Sequence, residues 1–307
     1  MMMSTEVILF LTMVVSLTNI SCYELHHLQR KQLKENVDGA MGRMGSQRGD
    51  LWEISDAARP AFHNIDDSRL SRLRHYVPGF DERDENNPNE LTFAQSLFED
   101  PFSVKVRQAV LETKFFQRII NNTLAPEQYG GYMVQDAAYV FDAVKAFDSA
   151  AKNMQGKHPP DFALFYRGRS ASFTSYASYF VSKWKLKSTK SIITGPAAAT
   201  YVAYEMKLAQ NKPKYLSIGI LPCDMLWPWV AKQINDQVPK THVYRSWVDD
   251  NLSDGSSSAQ KFANKFFTAE DKEDSQPIFN EGIINELNFF RSACGEKPVS
   301  YEFGIQE

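Results

Sequence analysis

Cysteine is scarce in this chain: the 307 residues hold three, Cys22, Cys223 and Cys294. A disulfide-stapled scaffold needs several in a short sequence, so that class is excluded. A single Cys223 to Cys294 bridge stays open, and it competes with any reading of Cys223 as a reactive thiol. Histidine is scarce too, and of the six only His158 and His242 fall in the apolar part of the chain, both near prolines. The one Glu-x-x-His spacing, Glu24 with His27, stands alone, whereas a di-iron bundle needs such motifs paired on facing helices. No metal, haem or other cofactor is expected.

A surplus of one charge is also missing. With a net charge of −3 and a pI near 6.1, nothing pulls the chain electrostatically toward nucleic acid or an anionic membrane. Long hydrophobic runs are missing as well. The run from Val7 to Val15, broken by Thr12, falls short of the ~20 apolar residues that span a bilayer. Followed by small and polar residues to Cys22, it looks like a secretory signal peptide over 1–22, although Glu6 stands in its leading region and no lysine or arginine does. A secreted protein with no membrane attachment after cleavage is expected. In that compartment Asn121-Asn122-Thr123 and Asn251-Leu252-Ser253 become candidate glycan acceptors.

What is present is apolar: 43% of the residues are hydrophobic and 13% aromatic, enough for one large core. The apolar residues are unevenly spread. Residues 23–92 are polar and turn-rich, ending in the charged cluster Asp81 to Asn89, and such composition buries too little to offset chain entropy. We expect a partly disordered extension there, serving as propeptide, linker or assembly arm.

From Phe93 apolar residues recur at helical spacing. The pattern predicts a helix from Pro101 with Phe102, Val106, Ala109, Val110 and Thr113 on one face. A second follows Pro126 to about Asn153, with Val134, Ala138, Phe141 and Val144 inward. Gly168 predicts a break, and Ser172 to Leu186 a short amphipathic helix. Further helices are expected over Tyr201 to Lys207, Tyr215 to Ile234 with interruptions at Pro222 and Pro228, at Trp247, over Ala259 to Phe267, and over Ser275 to Cys294. No alternating strand of useful length and no repeat appears, so the class is all-α, a helical bundle over 93–296 with a tail at 297–307.

Three of these helices each offer a reactive side chain with an aromatic partner three or four residues on, hence on the same face: Asp136 with Tyr139, Cys223 with Trp227, and Glu286 with Phe289. A carboxyl on an apolar face is costly without a partner, and a structural hydrogen bond or simple exposure would account for either one alone. A cysteine in aromatic company is most often a small hydrophobe. Together, a thiol nucleophile, an acid to protonate a leaving group and a carboxylate to orient a substrate would make a covalent C–N bond hydrolase.

The segments Lys114-Phe115-Phe116, Leu124 to Tyr129 and Gln135-Asp136-Ala137-Ala138-Tyr139 resemble the first part of the TenA, or thiaminase II, family. Leu221-Pro222-Cys223 resembles its cysteine motif, and Glu286-Leu287-Asn288-Phe289-Phe290 its terminal Glu-x-x-Phe-Phe/Trp motif. The resemblance implies a haem-oxygenase-like fold, a homo-oligomer (dimer or tetramer), and hydrolysis of thiamin or an aminopyrimidine-type compound. The partner it implies is a small heteroaromatic molecule. Carried over, Cys223 would add to the pyrimidine ring, Glu286 would be the general acid, and Asp136 would bind the amino and ring nitrogens. Tyr139 and Phe289 would shape the slot, and Tyr201 would match a pocket tyrosine. Two positions depart: Trp227 stands for a tyrosine and cannot act as a phenol acid, and Asn251 stands where a further pocket tyrosine is expected. With secretion, these departures suggest the alternative of a ligand-binding or extracellular matrix protein that keeps the fold without turnover.

Overall fold

Proline and short polar side chains write most of the helix starts. In the computed structural model, which describes residues 91–157, 159–183, 192–252 and 255–301, Thr92 opens α1 (Phe93–Phe98) with a reciprocal capping box to Gln95. Asp100 then accepts from the Phe102 amide ahead of α2 (Pro101–Leu111). Thr113 was expected on the buried face of that helix; instead it caps α3 (Lys114–Ile120) through the Phe116 amide. Pro126 and Pro196 occupy the first positions of α4 (Pro126–Asn153) and α6 (Pro196–Asn211), where a missing N–H costs no helix bond. Ser257 and Gln260 form a second capping box at α10 (Ser258–Phe266).

The remaining helices are α5 (Asp161–Lys183), α7 (Leu216–Gly219), α8 (Leu221–Ile234), α9 (Arg245–Asn251) and α11 (Lys272–Ala293). The described residues therefore form an all-α fold without strands, and all belong to one compact unit. The expected signal segment and most of the polar extension lie outside them, as does His158. Among the described residues no helix is long and apolar enough to cross a membrane.

The long helix α4 lies against α5 and α6 along its length, and α11 packs on α2, α6, α8 and α4. Where those four contacts meet, aromatic rings fill the space. Phe115 and Phe116 of α3 reach Phe290 of α11 with ring centroids 5.8 and 4.7 Å apart, and all three are wholly buried. Each such ring contributes on the order of 1.5–3 kcal/mol by leaving water.

Several expectations need correcting. Gly168 does not break α5; it sits exposed with open space around it, and a lone exposed glycine costs a helix only ~1 kcal/mol relative to alanine. The inward stripe of α4 runs through Tyr132, Asp136, Tyr139, Ala143 and Phe147. Val134, Phe141 and Val144 are only half-buried, because a helix packed on two sides buries more than one stripe. The chain breaks at Ile220, between α7 and α8, while Pro222 sits in the first turn of α8 and the helix continues through Pro228. Helix α6 extends well beyond the predicted Tyr201 to Lys207. Cys223 and Cys294 are both free thiols, so the bridge between them is not formed.

Candidate functional site

The three predicted faces meet. Asp136, Tyr139 and Tyr132 come from α4, Tyr201 and Glu205 from α6, Cys223, Asp224 and Trp227 from α8, and Glu286 and Phe289 from α11. All are buried. The Trp227 indole N–H donates to Glu286 Oε2 at 2.8 Å. Tyr139 and Tyr201 face each other at 5.0 Å between ring centroids, and Tyr132 lies 6.0 Å from Trp227 and 5.5 Å from Phe289. Asp136, Tyr139, Tyr201, Cys223, Trp227, Glu286 and Phe289 thus belong to one buried, aromatic-rich cluster, called the chamber below.

Close backbone approach makes this convergence possible. A Cβ on Gly282 would stand 2.6 Å from the Gly219 carbonyl oxygen and 2.9 Å from the Pro222 ring. Only glycine lets α11 settle against the turn that leads into Cys223. Glu286 lies one helical turn beyond Gly282, so the same approach sets its distance from the thiol.

Burial governs the charges. Glu286 is lifted from 4.5 to about 7, chiefly by loss of water, while hydrogen bonds from Trp227, Tyr201 and Cys223 pull it back and Asp224 pushes it up. Asp136 is raised from 3.8 to about 7 by burial and then by Glu286, against a hydrogen bond from Tyr176 of α5. At neutral pH both carboxyls stand near the middle of their titration, which suits groups that hand protons over. Tyr201 is pushed well above its ordinary value, first by burial and then by Glu286.

Sequence reasoning missed several neighbours. Glu205 is fully buried, its Oε1 accepts from the Tyr139 hydroxyl at 2.5 Å, and burial lifts it to about 8. It follows Tyr201 by four residues, so the same helical spacing used for the other pairs would have found it. Tyr132 precedes Asp136 by four and was equally legible; its hydroxyl accepts from the Trp247 indole at 3.2 Å. Asp224, adjacent to Cys223, accepts from both Arg169 terminal nitrogens at 3.4 Å and from Ser257 at 3.2 Å. That cluster ties α5, α8 and the start of α10 together beside the thiol, and no spacing in the sequence announces it.

Asn251 is 1% exposed and donates from Nδ2 to the Trp247 carbonyl at 2.7 Å. The nitrogen that would carry a glycan is spent inside the core. Asn121, at the exposed end of α3, is open. His242 accepts from the Tyr244 amide and faces none of the chamber residues.

A cavity of about 330 Å³ opens beside the chamber, lined by Glu127, Gln128, Tyr132 and Gln135 of α4 and by Phe289 and Ser292 of α11. Asp136 follows Tyr132 by one turn and Glu286 precedes Phe289 by about one turn, so the two carboxyls stand one turn further in. The volume suits a single-ring ligand. Among the described residues no three His, Cys, Asp or Glu side chains gather as a metal site.

No protein-family model matches the chain, and a search of curated proteins finds no match.

Proposed function

We propose that the chamber is the active site of a TenA-like, thiaminase II-like hydrolase of haem-oxygenase-like fold that cleaves a C–N bond of thiamin or an aminopyrimidine-type compound. The observation that carries this reading is the Cys223 thiol standing against Glu286, with Asp136 in the same buried aromatic chamber. The heteroaromatic ring enters from the cavity beside Tyr132 and Phe289, and Asp136 holds its amino and ring nitrogens. The Cys223 sulfur bonds to a ring carbon while its proton passes to the ring through Glu286. The C–N bond then breaks with its electron pair on the departing amine, which takes a proton from Glu286. Water supplies hydroxyl to the carbon that lost the amine and a proton to the carboxylate, and as the S–C bond breaks the ring returns through Glu286 the proton it took, restoring the thiol and the free ring.

A signal peptide, which the N-terminal sequence suggests, would put this activity outside the cell, and the family resemblance implies a homo-oligomer. Purified protein is expected to hydrolyse thiamin or an aminomethylpyrimidine, and Cys223→Ala to abolish it. Hydrolysis that survives in the variant overturns the nucleophile.

A second reading has its own observation. Trp227, not a phenol, donates to Glu286, and Asn251 is locked to backbone, so two positions that could have carried pocket hydroxyls do structural work. A secreted ligand-binding or matrix protein keeping this fold would bind the same compounds without converting them. Calorimetry showing retention, with product assays showing none formed, selects it.

A further inference from the structure

Gly131 is a glycine that neither backbone nor packing asks for. It sits inside α4, past the first turn. Among the described residues the glycines with positive φ are Gly156 and Gly295, so Gly131 uses no conformation closed to other residues. A Cβ there would meet nothing within 4 Å, whereas one on Gly282 would strike the Gly219 carbonyl oxygen at 2.6 Å. Inside a helix glycine is less favourable than alanine, so its presence at this position runs against local stability. What it does supply is room: Gly131 lines the cavity of about 330 Å³, a cleft between α4 and α11.

The polar side chains around that cleft are held still. Gln128 Oε1 accepts from Arg118 at 2.9 Å and from the Ala125 amide at 3.3 Å. Gln135 donates to the Ile193 carbonyl at 3.1 Å and accepts from the Gly195 amide, and Ser292 Oγ donates to the Phe289 carbonyl at 2.7 Å. With these groups tied back into the protein the mouth stands open, and position 131 is where its width is set. Gly131 and Ser292 are exposed at the rim, while Tyr132 and Phe289 are buried and form the floor, their ring centroids 5.5 Å apart. Behind the floor stand Asp136, one turn after Tyr132, and Glu286, which Trp227 and Cys223 both bond. Side-chain rings swing where backbone does not, so such a floor can part for an entering molecule.

We propose that Gly131 is a specificity-determining position: it keeps the cleft wide enough for one flat ring to pass toward Cys223, and a side chain there narrows the passage to smaller molecules. The selection is by size, at the mouth, before any group of the chamber is met. The inference deepens the proposed site: it rests on ligands reaching the chamber by this cleft, and not on turnover.

The Cys223 thiol reports what gets in. The full chain is treated separately with iodoacetamide, which is small, and with N-ethylmaleimide, which carries a flat ring, and labelling of Cys223 and Cys294 is followed by mass mapping. In the wild type Cys223 is expected to react with both while folded. In Gly131→Leu its reaction with N-ethylmaleimide is expected to slow at least about tenfold and that with iodoacetamide less than about threefold, with Gly131→Ala falling between wild type and Gly131→Leu. Gly168→Leu, at an exposed glycine of α5 with equally open space, is the control: it gains the same helix preference and should leave both rates within about twofold. Equal slowing of the two reagents in Gly131→Leu overturns the proposal. So does an unchanged N-ethylmaleimide rate there, the same loss in Gly168→Leu, or a wild-type Cys223 that reacts with neither reagent. None of these readouts uses product, so loss of the hydrolase reading leaves the result standing.

Discussion

Trp227 and Glu286, 4% and 2% exposed, are joined by a 2.8 Å hydrogen bond from indole to carboxyl. The bond does two things at once. It satisfies the one polar atom of a buried tryptophan, and it keeps the Glu286 proton from being held still more tightly. Trp227→Phe keeps an apolar ring and removes the donor. Loss of such a bond to an ionisable buried group costs ~1–3 kcal/mol, and Glu286 should move further above about 7. Urea denaturation is expected to show the loss, and the pH–rate profile of the proposed hydrolysis an upward shift of the limb assigned in that proposal to Glu286. An unmoved limb would mean that another group titrates there.

The pH dependence of stability follows from the same burial. Glu205 ionises near 4.5 in the unfolded chain and near 8 in the fold. Between those values the unfolded chain has lost the proton and the fold has kept it. Each unit of rising pH therefore lowers stability by up to ~1.4 kcal/mol, and above about 8 the effect is complete. Asp136 and Glu286 act in the same direction up to about 7. From pH 5 to pH 8 the wild type is expected to lose a few kcal/mol more than Glu205→Gln, which carries no titrating proton. Parallel losses in urea titrations at the two pH values would show that Glu205 is already ionised in the fold.

How much of this could be read from the sequence depends on distance along the chain. Asp136 with Tyr139, Cys223 with Trp227 and Glu286 with Phe289 are neighbours by helical spacing, and spacing is a local property. That their three faces meet rests on packing between α4, α8 and α11, which the resemblance suggested and no local signal encodes. Helix starts at Pro101 and Pro126 were legible because proline is well suited to a first helical turn, whereas the start at Pro196 was not, the helix there being expected only from Tyr201. The continuity of α5 through Gly168 was not, since a glycine's helix cost of ~1 kcal/mol is small beside the packing of Phe162, Tyr166 and Phe173 on the same helix. The Arg169 to Asp224 pair spans 55 residues, and a charge pattern at that range looks like ordinary surface polarity.

Gly282 offers a test of how the site is set. Alanine there would bring a methyl to 2.6 Å from the backbone oxygen of Gly219, an atom that cannot swing aside as a side chain would. Either α11 retreats or the turn before Cys223 moves, at a cost of ~1–3 kcal/mol. Because Glu286 and Cys223 lie on opposite sides of that contact, Gly282→Ala is expected to lower the midpoint of thermal unfolding and to reduce kcat far more than affinity. An alanine at Gly131, around which nothing lies within 4 Å, is the control and should leave the melting point within a few degrees. A Gly282→Ala protein that melts and turns over as the wild type does would show that the close approach is dispensable.

The two Asn-x-Ser/Thr triplets should behave oppositely. Asn121 ends α3 in the open, with Asn122 beyond it in a left-handed turn at φ 54°, and nothing covers its side chain. Asn251 is sealed, with its amide nitrogen on the Trp247 carbonyl. Produced behind a secretory leader in a glycosylating host, the chain is expected to carry glycan at Asn121 and none at Asn251 by mass mapping. Asn121→Gln should then leave stability within ~0.5 kcal/mol, whereas Asn251→Ala removes a buried hydrogen bond to the Trp247 carbonyl and leaves a void in the core, and should cost ~1–3 kcal/mol. Glycan found at Asn251 would mean that α9 is not folded against the core when the sugar is added. That would detach Trp247 from the Tyr132 hydroxyl and leave the wall between the cavity and Asp136 unsupported.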